Sequence, residues 1–110
     1  MKQYTTPEQT AKLFELGFKP IARIKKVRTV HYRVVVDHDC NFNIGELLEM
    51  LPQEINNDTL PDMFGVYIDH NKMWTVDYSN ILGALFSTYR TELIDALYDM
   101  VVKLKEGGVI

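Results

Sequence analysis

Residues 64–78 read FGVYIDHNKMWTVDY, two runs of alternating side chains around a polar tip, and the register of this hairpin decides the fold. Successive side chains on a strand point to opposite sides, so Phe64, Val66 and Ile68 share one face of the first run and Trp74, Val76 and Tyr78 one face of the second. Pairing Ile68 with Trp74 and Val66 with Val76 brings these sets together and leaves His70-Asn71-Lys72 as the loop. The opposite face, Gly65, Tyr67, Asp69, Met73, Thr75 and Asp77, is mixed and is either solvated or used for binding. The apolar face needs a cover, and the spacing of the flanking segments supplies helices.

Downstream, Thr91–Lys105 reads as the strongest helix. Glu92 and Asp95 lie in its first turn, Lys103 and Lys105 in its last, and Gly107-Gly108 closes it, all in keeping with its dipole. Its apolar set is broad. Leu93, Leu97, Met100 and Leu104 form one stripe, and Ile94, Tyr98, Val101 and Val102 extend it around the helix further than one sheet can cover. These four residues are therefore the expected self-association surface. Residues 80–89 carry no decisive period and read as a short helix interrupted near Gly83.

Upstream, Thr6-Pro7-Glu8-Gln9 and Asn43-Ile44-Gly45-Glu46 are two capping boxes, each opening a helix, over about 7–16 and 44–51. Gly17 can close the first of these helices and Pro52 the second. Between them, Val30, Tyr32, Val34 and Val36 alternate with His31, Arg33, Val35 and Asp37, which predicts a strand near 28–37 with an extra strand over 21–26. Residues 52–62, rich in Pro, Asn and Asp, read as a mobile loop. The expected architecture is one α+β domain over 1–110, ordered α-β-α-β-β-α, with an antiparallel sheet packed on helices and Trp74 and Val76 beneath the last one.

The charge is uneven. Residues 1–36 carry eight Lys or Arg against two Glu, a balance of +6, whereas residues 37–110 carry four against thirteen acids, a balance of −9. Lys19, Arg23, Lys25, Lys26, Arg28 and Arg33 follow one another without an intervening acid. With His31 and Tyr32 interleaved, these residues are candidate nucleic-acid contacts, although the same alternation also makes an ordinary solvated strand face. The overall pI near 5.5 is low for a nucleic-acid domain.

Catalytic and metal signatures are weak. Asp37-His38-Asp39-Cys40 lacks the duplicated Cys/His pairs of structural zinc sites and reads as a polar turn with Cys40 as a small buried filler. Glu92, Asp95 and Asp99 lack the Glu-x-x-His partners of di-metal bundles and read as a solvated acidic face. No catalytic residue, metal or other cofactor is expected. The lone cysteine, together with the lack of a membrane span or signal peptide, points to a cytoplasmic protein.

Four stretches, YTTPEQTAKLFELGF (4–18), NFNIGELLEMLPQEI (41–55), MWTVDYS (73–79) and ELIDALYDMVVKLKEGGVI (92–110), resemble a group of small proteins of Bacteroides-type bacteria, often associated with prophage or other mobile regions. The resemblance implies a bacterial cytosolic accessory protein and transfers no functional residue. Two functions remain in view. One is a non-enzymatic, self-associating interaction module; the other is a nucleic-acid-associated accessory protein using residues 19–33.

Overall fold

The structure, a computed structural model, describes residues 1–19, 23–55 and 60–110, with the side chains of 23–26 and 35–39 outside the described set. Its elements are α1 (Pro7–Glu15), β1 (Arg23–Val30), β2 (Arg33–Asp39), α2 (Ile44–Met50), β3 (Glu54–Ile55), β4 (Asp62–Ile68), β5 (Trp74–Asn80), β6 (Gly83–Arg90) and α3 (Leu93–Glu106). The class is α+β, with an antiparallel four-stranded sheet in the order β3-β4-β5-β6 and a separate two-stranded sheet, β1-β2.

Both capping boxes form as the sequence predicts. The Thr6 hydroxyl accepts from the Gln9 amide while the Gln9 side chain accepts from the Thr6 amide, and Asn43 and Glu46 do the same for α2. Each box satisfies amides that a helix start leaves without partners. α3 ends as its last turn predicts, with Gly107 as its cap and Gly108 at φ 74.

The hairpin register is the expected one. Ile68 faces Trp74, Val66 faces Val76 and Phe64 faces Tyr78. The tip closes through a bond from the Asp69 amide to the Met73 carbonyl, and Lys72 takes the left-handed conformation, φ 61, that a three-residue loop demands. The Asp69 carboxylate steadies the tip by accepting from the Asn71 and Met73 amides.

The core lies between this sheet and the helices. Leu13, Phe42, Leu47, Val76, Tyr78, Ile94, Leu97, Met100, Val101 and Leu104 are fully buried, and Phe64, Val66 and Phe86 pack against them. Tyr78 also donates its hydroxyl to the Pro52 carbonyl at 2.6 Å, which fastens the end of α2 to the central strand. Trp74 departs from expectation. It is only half-buried and Ile68 is exposed, because this rung of the ladder overhangs the helical cover while Val76, one rung inward, is sealed. The side-chain parity is right and the extent of the cover is less than expected.

Two local expectations are corrected. Residues 83–90 form a strand and not an interrupted helix: pairing with β5 overrides the weak local preference, and Gly83, at φ 133, takes the backbone conformation needed after the two-residue Ile81-Leu82 turn. The strand expected over 28–37 is broken in the middle. His31 and Tyr32 have φ of 51 and 62, and the chain reverses there, so β1 and β2 make a hairpin. The extra strand over 21–26 falls partly outside the described residues, and its described part belongs to β1. In the 52–62 stretch, Glu54–Ile55 pairs with β4 and 56–59 lie outside the described residues.

Candidate interaction arm

The β1-β2 ribbon is built by its turn. Two central residues at positive φ give the backbone twist of a two-residue type I′ connection, which matches the twist of the strands it joins. Tyr32 is a costly residue for that conformation, which Gly and Asn adopt more easily and His31 tolerates better than most side chains. Val30 faces Arg33 and Thr29 faces Val34, so the turn also resets the faces. Arg28, Val30 and Arg33 now share one side, and Val27, Thr29 and Val34 the other. The sequence alternation, read as one straight strand, had placed Val30 and Val34 together.

Among the described residues, the ribbon stands apart from the core. No residue of 23–39 belongs to the core cluster among the described residues, and the ribbon is hydrogen-bonded to no strand of the larger sheet. Val27 is 60% exposed, Val34 72% and Tyr32, at the tip, 103%. The molecule is correspondingly long, 64 × 30 × 19 Å, with a radius of gyration of 17.0 Å. A compact chain of this length would have about 13 Å. At about 3.3 Å per residue, strands of eight and seven residues give an arm of roughly 25 Å.

The arm collects most of the basic candidates. Arg28, His31 and Arg33 are exposed on it, and the backbone of Arg23, Lys25 and Lys26 lies in β1, with a register shift between Ile24 and Lys26. Lys19 is not brought to the same place. It lines a shallow groove of about 330 Å³ with Phe18, Glu46, Glu49 and Met50, beside two carboxylates of α2.

The expected self-association surface on α3 is largely consumed within the chain. Ile94 and Val101 are fully buried, and Tyr98 and Val102 are half-buried against the core. Neighbouring helices supply the cover that one sheet could not. α1 lies alongside α3, where Gln9 donates to Asp95 at 2.8 Å and Lys12 pairs with Glu106 at 3.4 Å.

The acidic residues of α3 are correspondingly less solvated than expected. Glu92 accepts from the Lys2 amide, and Asp95 accepts from the Lys2 ammonium at 2.8 Å. Burial pushes the Asp95 carboxyl up, but the bonds from Lys2 and Gln9 outweigh it and hold the group below its ordinary value. Asp99 is pushed up by burial, against the pull of Arg90 at 3.4 Å. These carboxylates fasten the N-terminus and β6 to the helix.

Cys40 is exposed, not a buried filler. His31 and His70 sit exposed at the tips of different hairpins, and no group of three His, Cys, Asp or Glu side chains converges among the described residues. Among the described residues, no helix is long and apolar enough to cross a membrane. The face of the four-stranded sheet away from the helices carries exposed Tyr67 and Tyr89 on either side of buried Thr75. Asp77, buried on the same face, accepts from the Tyr67 hydroxyl at 3.3 Å. No family model matches this chain, and neither a curated protein nor a solved structure is similar to it.

The sequence marked the basic residues but missed their presentation. The signal for the arm was the His31-Tyr32 pair. It carries no turn chemistry, and so the reversal was invisible to a reading based on turn residues.

Proposed function

We propose that this protein is a non-enzymatic, nucleic-acid-associated accessory protein that works through its basic arm. One observation carries the reading: the basic stretch of an otherwise acidic chain stands on a two-stranded ribbon outside the core. An isolated hairpin is marginally stable in water, so a ribbon with no third strand among the described residues gains order from what it binds. Concentrated positive charge selects a polyanion. A cytoplasmic bacterial setting accords with this reading and with the single cysteine.

The test is a titration with random-sequence DNA and RNA at 50 and 200 mM salt. Neutralising about three phosphates weakens binding roughly 40-fold over that range. Arg23 and Asp39 face each other across the ribbon, so a short Gly-Ser turn can replace residues 24–38 without disturbing the body. That variant should fold and lose binding. Equal binding with and without the arm refutes the proposal.

A second reading, self-association, rests on the free edge of the sheet. β6 is the outer strand, and in its sequence GALFSTYR the one charged residue is the last, Arg90, so the rest of the edge has none of the charges or prolines that usually guard one. Leu85 and Tyr89 are exposed along it. A second copy pairing along β6 would extend the sheet symmetrically. Light scattering at 100 μM should then show a dimer that Leu85→Lys dissociates; a monomer at that concentration removes this reading.

A further inference from the structure

We infer that the arm lies in the major groove of duplex DNA and presents its Arg28/Arg33 face to the base edges. This inference rests on the nucleic-acid reading above and goes beyond it in naming the form of nucleic acid and the groove. A two-stranded ribbon fits the B-DNA major groove, about 12 Å wide, but not the deep, narrow major groove of A-form RNA. Single strands are ordinarily held by several stacking aromatics, and the arm has one, Tyr32, at its tip.

The register supplies the rest. Val30 faces Arg33, so Arg28 lies diagonally across the ribbon from Arg33 on the same face. Diagonal positions of this kind are about 7–8 Å apart. Two base-pair steps of about 3.4 Å span a similar distance. Each guanidinium can therefore meet a guanine edge, taking O6 and N7 together, from positions two steps apart. The other face, among the described side chains, carries Val27, Thr29 and Val34, which are β-branched and short, unlike the large apolar groups that insert into a lipid surface.

Fluorescence anisotropy on the full chain decides the matter. The probes are a 20-base-pair DNA duplex, its single strand, the corresponding RNA duplex, and a DNA duplex with 7-deazaguanine, which removes N7 from the major groove alone. Vesicles containing anionic phospholipid form a further arm. The expected result is at least tenfold preference for duplex DNA and at least fivefold weakening by 7-deazaguanine. Arg28→Ala with Arg33→Ala should weaken duplex binding at least tenfold and abolish the 7-deazaguanine effect, while the salt slope, which counts phosphate contacts, stays close to that of the parent. Arg28→Lys with Arg33→Lys should keep the slope and reduce the 7-deazaguanine effect, because Lys retains the charge without the planar fork of paired donors. Lys72→Asn, at the other hairpin tip, should change nothing. Equal binding of single strand or RNA, or indifference to 7-deazaguanine, overturns the groove assignment and leaves the nucleic-acid reading standing. Salt-insensitive or absent binding to every nucleic acid overturns both. Arm-dependent binding of the vesicles alone reassigns the arm to a membrane surface.

Discussion

Replacing Tyr78 with Phe removes one hydroxyl from the centre of the molecule, and its consequences can be worked out on two axes. The side chain is fully buried, with its ring 5.5 Å from that of Phe64 and its hydroxyl 2.6 Å from the Pro52 carbonyl. Loss of the hydroxyl keeps the ring packing and leaves the carbonyl without this donor, a cost of about 1–3 kcal/mol at neutral pH. On the pH axis, burial raises the Tyr78 hydroxyl from its ordinary 10.0 to about 12. The folded state therefore holds its proton where the unfolded chain has lost it. The stability this proton contributes is complete below pH 10 and is lost as pH climbs from 10 through about 12. At pH 11.5 the loss specific to this group is about 2 kcal/mol. Phe at this position has no such proton, so the wild-type advantage at pH 7 should shrink by about that amount, to near zero or below. Urea unfolding of both proteins at pH 7, 10 and 11.5 measures this directly, since titration of the other groups cancels in the difference. A gap below about 0.5 kcal/mol at pH 7, or one unchanged at pH 11.5, would show that the hydroxyl is neither bonded nor buried as described.

Asp95→Asn should cost about 1–2 kcal/mol at pH 7, the lower part of the range for a bond to a charged group because the pair is partly exposed, by weakening the contacts to Lys2 and Gln9. Because the folded carboxyl sits below its ordinary value, its contribution is complete above the carboxylate range and lost as pH falls through the folded value. Thermal melts of the two proteins should therefore converge on acidification, and a gap that widens below pH 4 would contradict this. Gly65→Ala would place a Cβ 2.8 Å from Asp77 Oδ1 and should destabilise by about 1–2 kcal/mol after the gain from a less flexible backbone. Asp77→Ala in the same chain should recover that loss; additive effects would show that the two positions do not touch. Trp74→Ala, at the overhanging rung, should cost about 1–2 kcal/mol in denaturant unfolding, less than a core aromatic, and a loss above about 3 would restore Trp74 to the core.

The elements legible in the sequence were those whose determinants are local. Thr6 with Gln9 and Asn43 with Glu46 carry their own partners within one turn, so the starts of α1 and α2 followed from four residues each. The β4-β5 register followed from parity, because a one-residue slip would have exposed Val76 and Tyr78 and buried Asp69. The charge division was likewise a property of the chain alone. What the sequence left open depended on groups far apart along it. Residues 83–90 became a strand because β5 lay beside them, and Ile94 and Val101 became interior because α1 and α2 closed over α3, covering apolar surface that one sheet alone does not reach. The arm is the sharpest case. From Arg23 to Asp39 alternation fits one long strand as well as two short ones, and only the backbone at His31 and Tyr32, in a conformation neither residue favours locally, decides between them. That reversal lies outside the reach of local preference, and it turns a basic stretch into a ribbon that stands clear of the core.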